Sequence, residues 1–346
     1  MRALLALLII CVAGCAQTAP GVTVLTYASP FSPSHPFSRA DVAWMKWVEQ
    51  QSNGSIDIQP YWSGSLLSSE HSMHELRHGV ADVGLITPIY ARGGAHLIRA
   101  QAGFYGGLET FEEQTSLWRC LVAAEPQFQR ELHDLKILAV QGGNLPGIVT
   151  RDRPVRSLED LRGLRLRAPS ELLSVLKDLG ADPIDMPMGE VYSALAKGVL
   201  DGVVAPPDTL RSLHFAEVAQ YFNTIKIPRG AYAARAMSEQ RWRTLTDAQR
   251  DLLERSTEVW EKSLAAELLV ANEAGMAAGR EHRVEFHDMP PDQQARFDAL
   301  YERDGEARAR NLARFGIDGM PAYRLARSIA AQVKDDFGIR CSRDET

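Results

Sequence analysis

Five consecutive residues, His74-Glu75-Leu76-Arg77-His78, have the H-E-x-x-H spacing found in zinc proteases. On a helix this spacing puts two histidines on one face, where they can bind Zn²⁺ while the glutamate serves as general base. Gly79 follows immediately and ends the helix, and no third histidine follows at metzincin spacing. A secreted zinc protease is the rival function. The alternative is an ordinary helix with an apolar side (Met73, Leu76, Val80) and partly solvated histidines (His71, His74, His78).

A second candidate for chemistry is Arg167, at the carboxyl end of a strand predicted over residues 164–168. Ligands of open α/β sheets gather at the carboxyl ends of strands. An arginine there is always charged, and its planar guanidinium pairs bidentately with a carboxylate. Arg162 and Arg165 fit surface arginines, and position alone leaves open whether Arg167 is a third.

The stretch from Arg153 to Tyr221 predicts three strands alternating with two helices. Serine before a periodic apolar run and glycine after it mark helix ends, and prolines end strands. This order is typical of a parallel sheet with crossover helices. The elements after the first strand are a helix from Ser170 to Gly180, a strand Ile184 to Met186, a helix Gly189 to Lys197, and a strand Val199 to Ala205.

The flanking sequence predicts further strands and one long helix. Thr246 and Gln249 form a capping box, and helical spacing of leucines continues from there to about Arg280. Gly142-Gly143 suits a hinge between two lobes of the chain, and a strand near Ile225 to Ile227 should return the chain to the first of them. The other predicted strands are Val22 to Ala28, Ile56 to Gln59, Leu135 to Val140 and Val284 to His287, and Ile148 to Arg151 begins the second half. The other predicted helices are Phe37 to Gln51 and Phe111 to Leu132, the latter interrupted at Pro126.

One pattern occurs in both halves of the chain. His74 to Pro88 superposes on Ser193 to Pro207, each with a helix ending in glycine, a turn with an aspartate and a buried strand. This weak repeat predicts two similar α/β lobes with a cleft between them. A chain of 346 residues is long enough for two cores, and its net charge of −6 without a basic, aromatic-rich patch argues against nucleic acid.

The N-terminus predicts export. Arg2 precedes a short apolar segment, Leu4 to Val12, that is too short to span a bilayer. Val12-Ala13-Gly14-Cys15 resembles a lipobox, with Cys15 as the lipidated residue; the alternative is ordinary cleavage nearby, for example after Ala16. Cys120 and Cys341 remain, and an oxidising compartment would allow a disulfide between them, a question the sequence leaves open.

The segments GLRLRAP, GEVYSAL, KGVLDG and FAEVAQY, in this order, resemble the DctP-like solute-binding proteins of TRAP transporters. The resemblance covers nearly all of the mature chain. It implies an α/β, two-lobed periplasmic-binding-protein-like fold with an interlobe ligand cleft and a long helix spanning both lobes. It also implies a periplasmic receptor, without enzymatic activity or cofactor, that passes a small organic acid to a membrane permease. The implied segments are 1–21 as signal and mature N-terminus, 22–143 plus 231–275 as lobe I, and 144–230 plus 276–346 as lobe II.

The resemblance also assigns the site. It implies Arg167 as the carboxylate clamp, and it places the HELRH segment where the family has its own helix-Gly-x-x-Asp pattern. The other implied ligand contacts are Glu70, Thr87 and Phe104 in the first lobe, Ser170, Met188, Ala205 and Pro206 in the second, and Tyr232 near the hinge.

Two departures from the family pattern bear on the ligand. Pro146 stands where the family frequently has a second arginine, and Ala205 stands where it frequently has an asparagine. Both losses remove partners for a polar acid and leave an apolar wall around Met188 and Val204. We therefore expect a monocarboxylate with an apolar or aromatic body, rather than a dicarboxylate or sialic acid.

Overall fold

The computed structural model describes residues 21–334, Ile339 and Cys341, and it contains two β-sheets covered by helices. The predicted signal segment and Cys15 lie outside the described residues. No helix among the described residues is long and apolar enough to cross a membrane. The strands are β1 (Thr23–Ala28), β2 (Ile56–Tyr61), β3 (Val83–Leu85), β4 (Leu135–Gln141), β5 (Gly147–Thr150), β6 (Arg165–Arg167), β7 (Asp182–Ile184), β8 (Gly202–Ala205), β9 (Tyr221–Asn223), β10 (Tyr232–Ser238) and β11 (Glu285–His287).

The helices surround the two sheets and include one of 35 residues. Short 3-10 helices add single turns, among them Pro88–Tyr90, Ser170–Leu172 and Met188–Glu190. The α-helices are α1 (Pro36–Gln51), α2 (Ser72–Arg77), α3 (His96–Gln101), α4 (Phe111–Ala124), α5 (Gln127–Glu131), α6 (Leu173–Asp178), α7 (Val191–Ala196), α8 (Thr209–Ser212), α9 (Glu239–Arg243), α10 (Asp247–Glu281), α11 (Pro291–Asn311) and α12 (Met320–Lys334).

Each sheet combines parallel strands with one antiparallel strand, β10 in the first sheet and β5 in the second, and both lie next to the segments where the chain crosses between the sheets. The first sheet has the order β2-β1-β3-β10-β4, and the second has the order β11-β9-β5-β8-β6-β7. In the first, β1 is parallel to β2 and β3, whereas β10 is antiparallel to β3 and β4. In the second, β6 is parallel to β7 and β8, whereas β5 is antiparallel to β8 and β9. The predicted α/β class is confirmed.

The internal repeat of the sequence corresponds to a repeated structural device. Gly79 and Gly198 both end short helices with positive φ, at +74° and +70°. Three residues later, Asp82 accepts a hydrogen bond from the Thr26 backbone at 2.8 Å, and Asp201 accepts one from the Arg165 backbone at 2.8 Å. Each aspartate thereby ties the turn before a buried strand to the neighbouring parallel strand, so the two lobes are built alike.

The long helix α10 packs on both lobes, as expected. Its capping box between Thr246 and Gln249 is present. Its first half carries apolar side chains such as Leu253 and Trp260 into the core beneath the first sheet. Farther along, a Cβ on Gly275 would lie 2.1 Å from the Pro207 carbonyl oxygen, so only glycine allows this approach to the second lobe.

Two local expectations differ from the structure. The predicted strand Ile225 to Ile227 is wrong, because the strand is β9 (Tyr221–Asn223) and it belongs to the second sheet. Ile225 and Ile227 are fully buried without joining a sheet, and buried positions that alternate give the same pattern as a strand. The strand that returns to the first sheet is β10 (Tyr232–Ser238). The strand predicted at Ile184 to Met186 begins two residues earlier, as β7.

The C-terminal region is shared between the lobes rather than confined to the second. Phe297 and Tyr301 of α11 lie in the core of the second lobe. In contrast, Ala326 and Ile329 of α12 pack in the core of the first lobe. A disulfide between Cys120 and Cys341, with Cα atoms 4.9 Å apart, ties the tail to α4. The assignment of all of 276–346 to the second lobe therefore differs from the packing of α12.

His35 caps the first helix from a buried position. Its Nδ1 accepts a hydrogen bond from the Phe37 backbone N–H at 3.2 Å, and its ring stacks on Phe31. Burial lowers the pKa of His35 to about 3, and the nearby cation Arg39 acts in the same direction. The folded protein therefore holds this imidazole neutral at pH values where the unfolded chain protonates it.

This difference makes folding stability depend on pH. The contribution of His35 is complete above its unfolded pKa of about 6.5 and is lost as the pH falls from there toward 3, by about 1.4 kcal/mol per unit. The variant His35→Asn keeps a capping acceptor but does not titrate. Between pH 7.5 and pH 5 we expect its free energy of unfolding to fall by about 2 kcal/mol less than that of the wild type. Urea unfolding of both proteins at the two pH values measures this. Equal decreases in the free energy of unfolding would contradict the conclusion that His35 is neutral in the folded protein.

Candidate ligand-binding site

A cavity of about 80 Å³ lies between the two lobes. It is small compared with the pockets of about 300–1,000 Å³ that hold drug-sized molecules. Both lobes and the crossing segments contribute to its wall, so it is an interlobe site. The lining residues are Ile89, Tyr90, Ala102 and Tyr232 from the first lobe, Arg167, Pro169, Glu171, Leu172, Met188, Val204 and Pro206 from the second, and Pro146, Pro228, Arg229 and Gly230 from the crossing segments.

Arg167 is at the centre of this wall, at the end of β6, with 1% of its surface exposed. Its Nε donates to the Met186 carbonyl oxygen at 2.8 Å, and its Nη1 lies 3.5 Å from the Val204 carbonyl oxygen. Its Nη2 donates to the Tyr90 hydroxyl of the opposite lobe at 2.7 Å. These contacts are all to neutral oxygens, and Arg167 forms no ion pair with any described residue. The protein thus buries a positive charge and fixes its orientation without a carboxylate in direct contact, and Asp185 and Glu171 act on it only from farther away.

Two more charged groups line the cavity. Arg229 contributes a second guanidinium, which packs against the backbone at Gly143 so closely that a Cβ there would be 2.5 Å from the Arg229 Cζ. Glu171 contributes a carboxyl group from the turn after β6 and is 7% exposed. Burial raises the pKa of Glu171, while its own backbone N–H and the Arg308 and Arg167 guanidiniums act in the opposite direction.

Four of the predicted contacts lie in the cavity wall: Arg167, Met188, Pro206 and Tyr232. The Tyr232 hydroxyl accepts a hydrogen bond from the Gln141 side chain at 2.8 Å, and burial raises its pKa to about 12. The phenol is therefore neutral at any physiological pH and can act only as a hydrogen-bonding group.

Three of the first-lobe residues are not brought into the wall. Glu70 forms an ion pair with Arg92 at 2.6 Å. The Thr87 hydroxyl bonds to Ser72 and to the Ser69 carbonyl oxygen beneath the surface. Phe104 is buried in the first-lobe core, with its ring 5.3 Å from that of Tyr323. An apolar run does not reveal whether its aromatic side chain faces a cleft or a core.

Two second-lobe residues also lie outside the wall. Ala205 is fully buried in β8, and its side chain belongs to the core that includes Leu195 and Phe222. Ser170 is partly exposed on the turn after β6, next to the lining residues Pro169 and Glu171.

Sequence reasoning missed Tyr90, Glu171 and Arg229. A signal existed for two of them. Tyr90 lies two residues after Pro88, which the internal repeat matches with Pro207, so it follows a strand end in the first lobe. Glu171 follows β6 at the same sheet edge as Arg167. The KIPRG segment that contains Arg229 shows no pattern, because only the crossing of the chain between lobes brings it here.

The HELRH segment does not form a metal site in this structure. Its helix α2 has six residues, and His74 and His78 have ring centroids 4.1 Å apart. Glu75 is occupied, since it accepts hydrogen bonds from the Ser68 backbone and hydroxyl at 2.7 and 3.0 Å. Within the described part of the chain, no group of three or more His, Cys, Asp or Glu side chains is placed to hold a metal ion.

Comparisons with known proteins agree with this geometry. The family model described as DctP, bacterial extracellular solute-binding protein family 7, matches residues 27–307. A curated solute-binding protein of Albidiferax ferrireducens is 29% identical over 215 residues, which is 60% of this chain and 61% of that protein.

Two solved structures share the fold. A TRAP solute-binding protein of Rhodoferax ferrireducens, in complex with copurified benzoate, aligns with a TM-score of 0.82 at 21% identity, over 92% of this chain and 100% of that chain. A marine-metagenome TRAP solute-binding protein specific for aromatic acid ligands, in complex with metahydroxyphenylacetate, aligns with a TM-score of 0.77 at 23% identity, over 89% and 98%.

The lack of a counter-ion for Arg167 predicts an unusual effect on stability. Replacing it with methionine should leave the free energy of unfolding unchanged or raise it by up to about 2 kcal/mol, because a buried charge that no carboxylate contacts directly is removed. Arg235 is the matched control, since it is 3% exposed but pairs with the fully buried Asp41 at 2.6 Å. Arg235→Met should cost about 3–5 kcal/mol by leaving Asp41 unpaired.

Urea unfolding of the ligand-free wild type and both variants distinguishes these outcomes. A large loss of stability in Arg167→Met, comparable with that in Arg235→Met, would mean that Arg167 serves the fold rather than a ligand.

Proposed function

Because the chain belongs to family 7 of the bacterial extracellular solute-binding proteins, we propose that it binds a small monocarboxylate with an apolar or aromatic body and delivers it to a TRAP-type membrane permease. The observation that carries the proposal is the buried guanidinium of Arg167, oriented toward the interlobe cavity and without an ionic partner among the described residues. A ligand carboxylate supplies the missing negative charge. A guanidinium has five N–H donors, and the Met186, Val204 and Tyr90 oxygens use three of them. The ligand carboxylate also accepts hydrogen bonds from the remaining N–H groups.

The wall of the cavity supports the apolar body. Beside Arg167 it presents mainly apolar surface from Ile89, Leu172, Met188 and Val204, together with prolines of the second lobe and of the crossing segments. A hydrocarbon or aromatic ring gains free energy there, whereas a sugar acid would lose hydration at hydroxyls that find few partners. The related structures that hold benzoate or metahydroxyphenylacetate are consistent with this chemistry.

The charges of the wall support one carboxylate rather than two. Arg167 and Arg229 are opposed by Glu171 in the same small cavity. A second ligand carboxylate near Glu171 would face a like charge, or would have to enter together with a proton. Both routes cost free energy that a monocarboxylate avoids.

Binding and lobe closure follow from the same contacts. Arg167 lies in the second lobe and Tyr90 in the first, so a ligand held by Arg167 touches groups that belong to both lobes. Closure removes water from the ion pair and strengthens it, and the ligand therefore shifts the population from open to closed. We further propose that the receptor acts in the periplasm, anchored through lipid on Cys15.

Arg167→Lys should weaken binding at least about tenfold, because an ammonium cannot reproduce the bidentate fork. A thermal-shift screen of small organic acids selects the ligand, since ligand binding raises the melting temperature by mass action. Calorimetric titration with the strongest monocarboxylate then gives the dissociation constants of wild type and variant.

Arg165→Lys is the control from the same strand. Arg165 has 44% of its side chain exposed and pairs with Asp201 on the surface, so its replacement should leave the dissociation constant unchanged. An unaltered affinity in Arg167→Lys would contradict the proposed clamp.

A further inference from the structure

Glu171 has no evident role in the fold. Of the described residues that line the cavity, it is the only acid. Its Oε2 is fully buried and has no hydrogen-bond partner in the structure. Its carboxyl group interacts with its own backbone N–H, and its backbone carbonyl oxygen accepts from Arg308 Nη2 at 2.8 Å. A buried acceptor without a donor costs about 1–3 kcal/mol, which makes such a group a candidate for a ligand contact.

The surroundings of Glu171 supply charge, but no side chain of the described residues donates a hydrogen bond to its Oε2. Arg308 on α11 and Arg167 on β6 are the cations that act on it, and Asp185 after β7 is the opposing anion. Arg308 directs its Nη2 to the Glu171 backbone and to Asp304. Arg167 directs its donors to Met186, Val204 and Tyr90. The carboxyl oxygen is therefore left for whatever fills the cavity.

We propose that Glu171 hydrogen-bonds a hydroxyl group on the body of the ligand, so that the preferred ligand is a hydroxylated monocarboxylate. This inference rests on the proposed function, since it assumes that Arg167 holds the ligand carboxylate. It adds a second polar contact, which fixes the orientation of the apolar body between the two ends of the cavity. Glu171 is thus a specificity-determining residue rather than part of the carboxylate clamp.

A hydroxyl fits better than the other groups that could reach this oxygen. An ammonium group would be attracted by Glu171 but repelled by the guanidiniums of Arg167 and Arg229 in the same wall. A second carboxylate would be repelled by Glu171 itself. A hydroxyl carries no charge and can donate to the ionised carboxylate or accept from the protonated acid.

The test compares ligands that differ only in this group. Isothermal titration of the purified protein uses benzoate with its three monohydroxy isomers, and phenylacetate with mandelate and phenylglycine, which add a hydroxyl or an ammonium at one carbon. We expect at least one hydroxylated acid to bind about tenfold or more tightly than its parent, because a site built to bond a hydroxyl rejects the analogue without it. Phenylglycine should bind no better than phenylacetate.

Variants then assign the preference to one residue. In Glu171→Met the ratio between hydroxylated and parent acid should fall to less than about twofold. Glu171→Gln, whose amide oxygen still accepts, should retain part of the ratio and guards against misfolding of the methionine variant. Glu190→Gln, at an exposed glutamate outside the cavity wall, should keep the wild-type ratio.

The outcomes separate this inference from the proposed function. If no organic acid binds, the proposed function fails. If parent and hydroxylated acids bind equally, or if the preference is unchanged in both Glu171 variants, the role of Glu171 is wrong while the receptor assignment stands. Tighter binding of phenylglycine than of mandelate would mean that Glu171 recognises an ammonium, which also overturns the proposal.

Discussion

A buried guanidinium without a counter-ion is the constraint on which the site depends. Water solvates such a charge far better than carbonyl and hydroxyl oxygens do, so burying Arg167 costs free energy that its three neutral contacts offset only in part. Under the proposed function, the carboxylate of the ligand removes the remaining cost, and the free energy of burying Arg167 contributes to affinity. Arg235 differs from Arg167 in this respect, because it is about as buried but is paired with Asp41.

The fold serves this constraint by placing the charge where two independent cores meet. Each lobe uses the same unit, in which a helix ends at a glycine and an aspartate ties the following turn to a neighbouring strand. Arg167 extends from the end of β6 in one lobe, and Tyr90 follows β3 in the other. α10 packs against both lobes, and its approach to Pro207 at Gly275 keeps the second lobe close to the first. Rigid lobes joined in this way can move relative to each other without disturbing either core.

Local patterns in the sequence predicted what depends on local physics. Helix caps, strand ends and the repeated Gly-x-x-Asp turn follow from backbone conformation. The predicted strand end before Pro169 placed Arg167 at the edge of the second sheet. The contacts of Tyr90 and Arg229 with this site depend on how the lobes close over each other, which no short-range pattern encodes. The same limit explains Phe104, whose apolar segment suits a cleft edge as well as a core. It also explains α12, because chain order does not determine which lobe a terminal helix joins.

Contacts between the two lobes stabilise a closed cleft before a ligand contributes to it. Arg167 already bonds to Tyr90 at 2.7 Å, and Arg99 of the first lobe lies 3.8 Å from Asp185 of the second. The first is a charge-assisted hydrogen bond and the second a long, partly exposed ion pair. Farther from the site, Lys226 pairs with Glu109 at 2.8 Å, and the Tyr301 hydroxyl donates to the Ala102 carbonyl oxygen at 3.1 Å. Under the proposed function, a carboxylate on Arg167 adds charge compensation that is strongest when the cleft is dry, so it stabilises the closed form more than the open one. A receptor that passes its ligand to a permease must also open again. The closed form should therefore depend on the ligand, because interlobe contacts that kept the cleft closed on their own would prevent release.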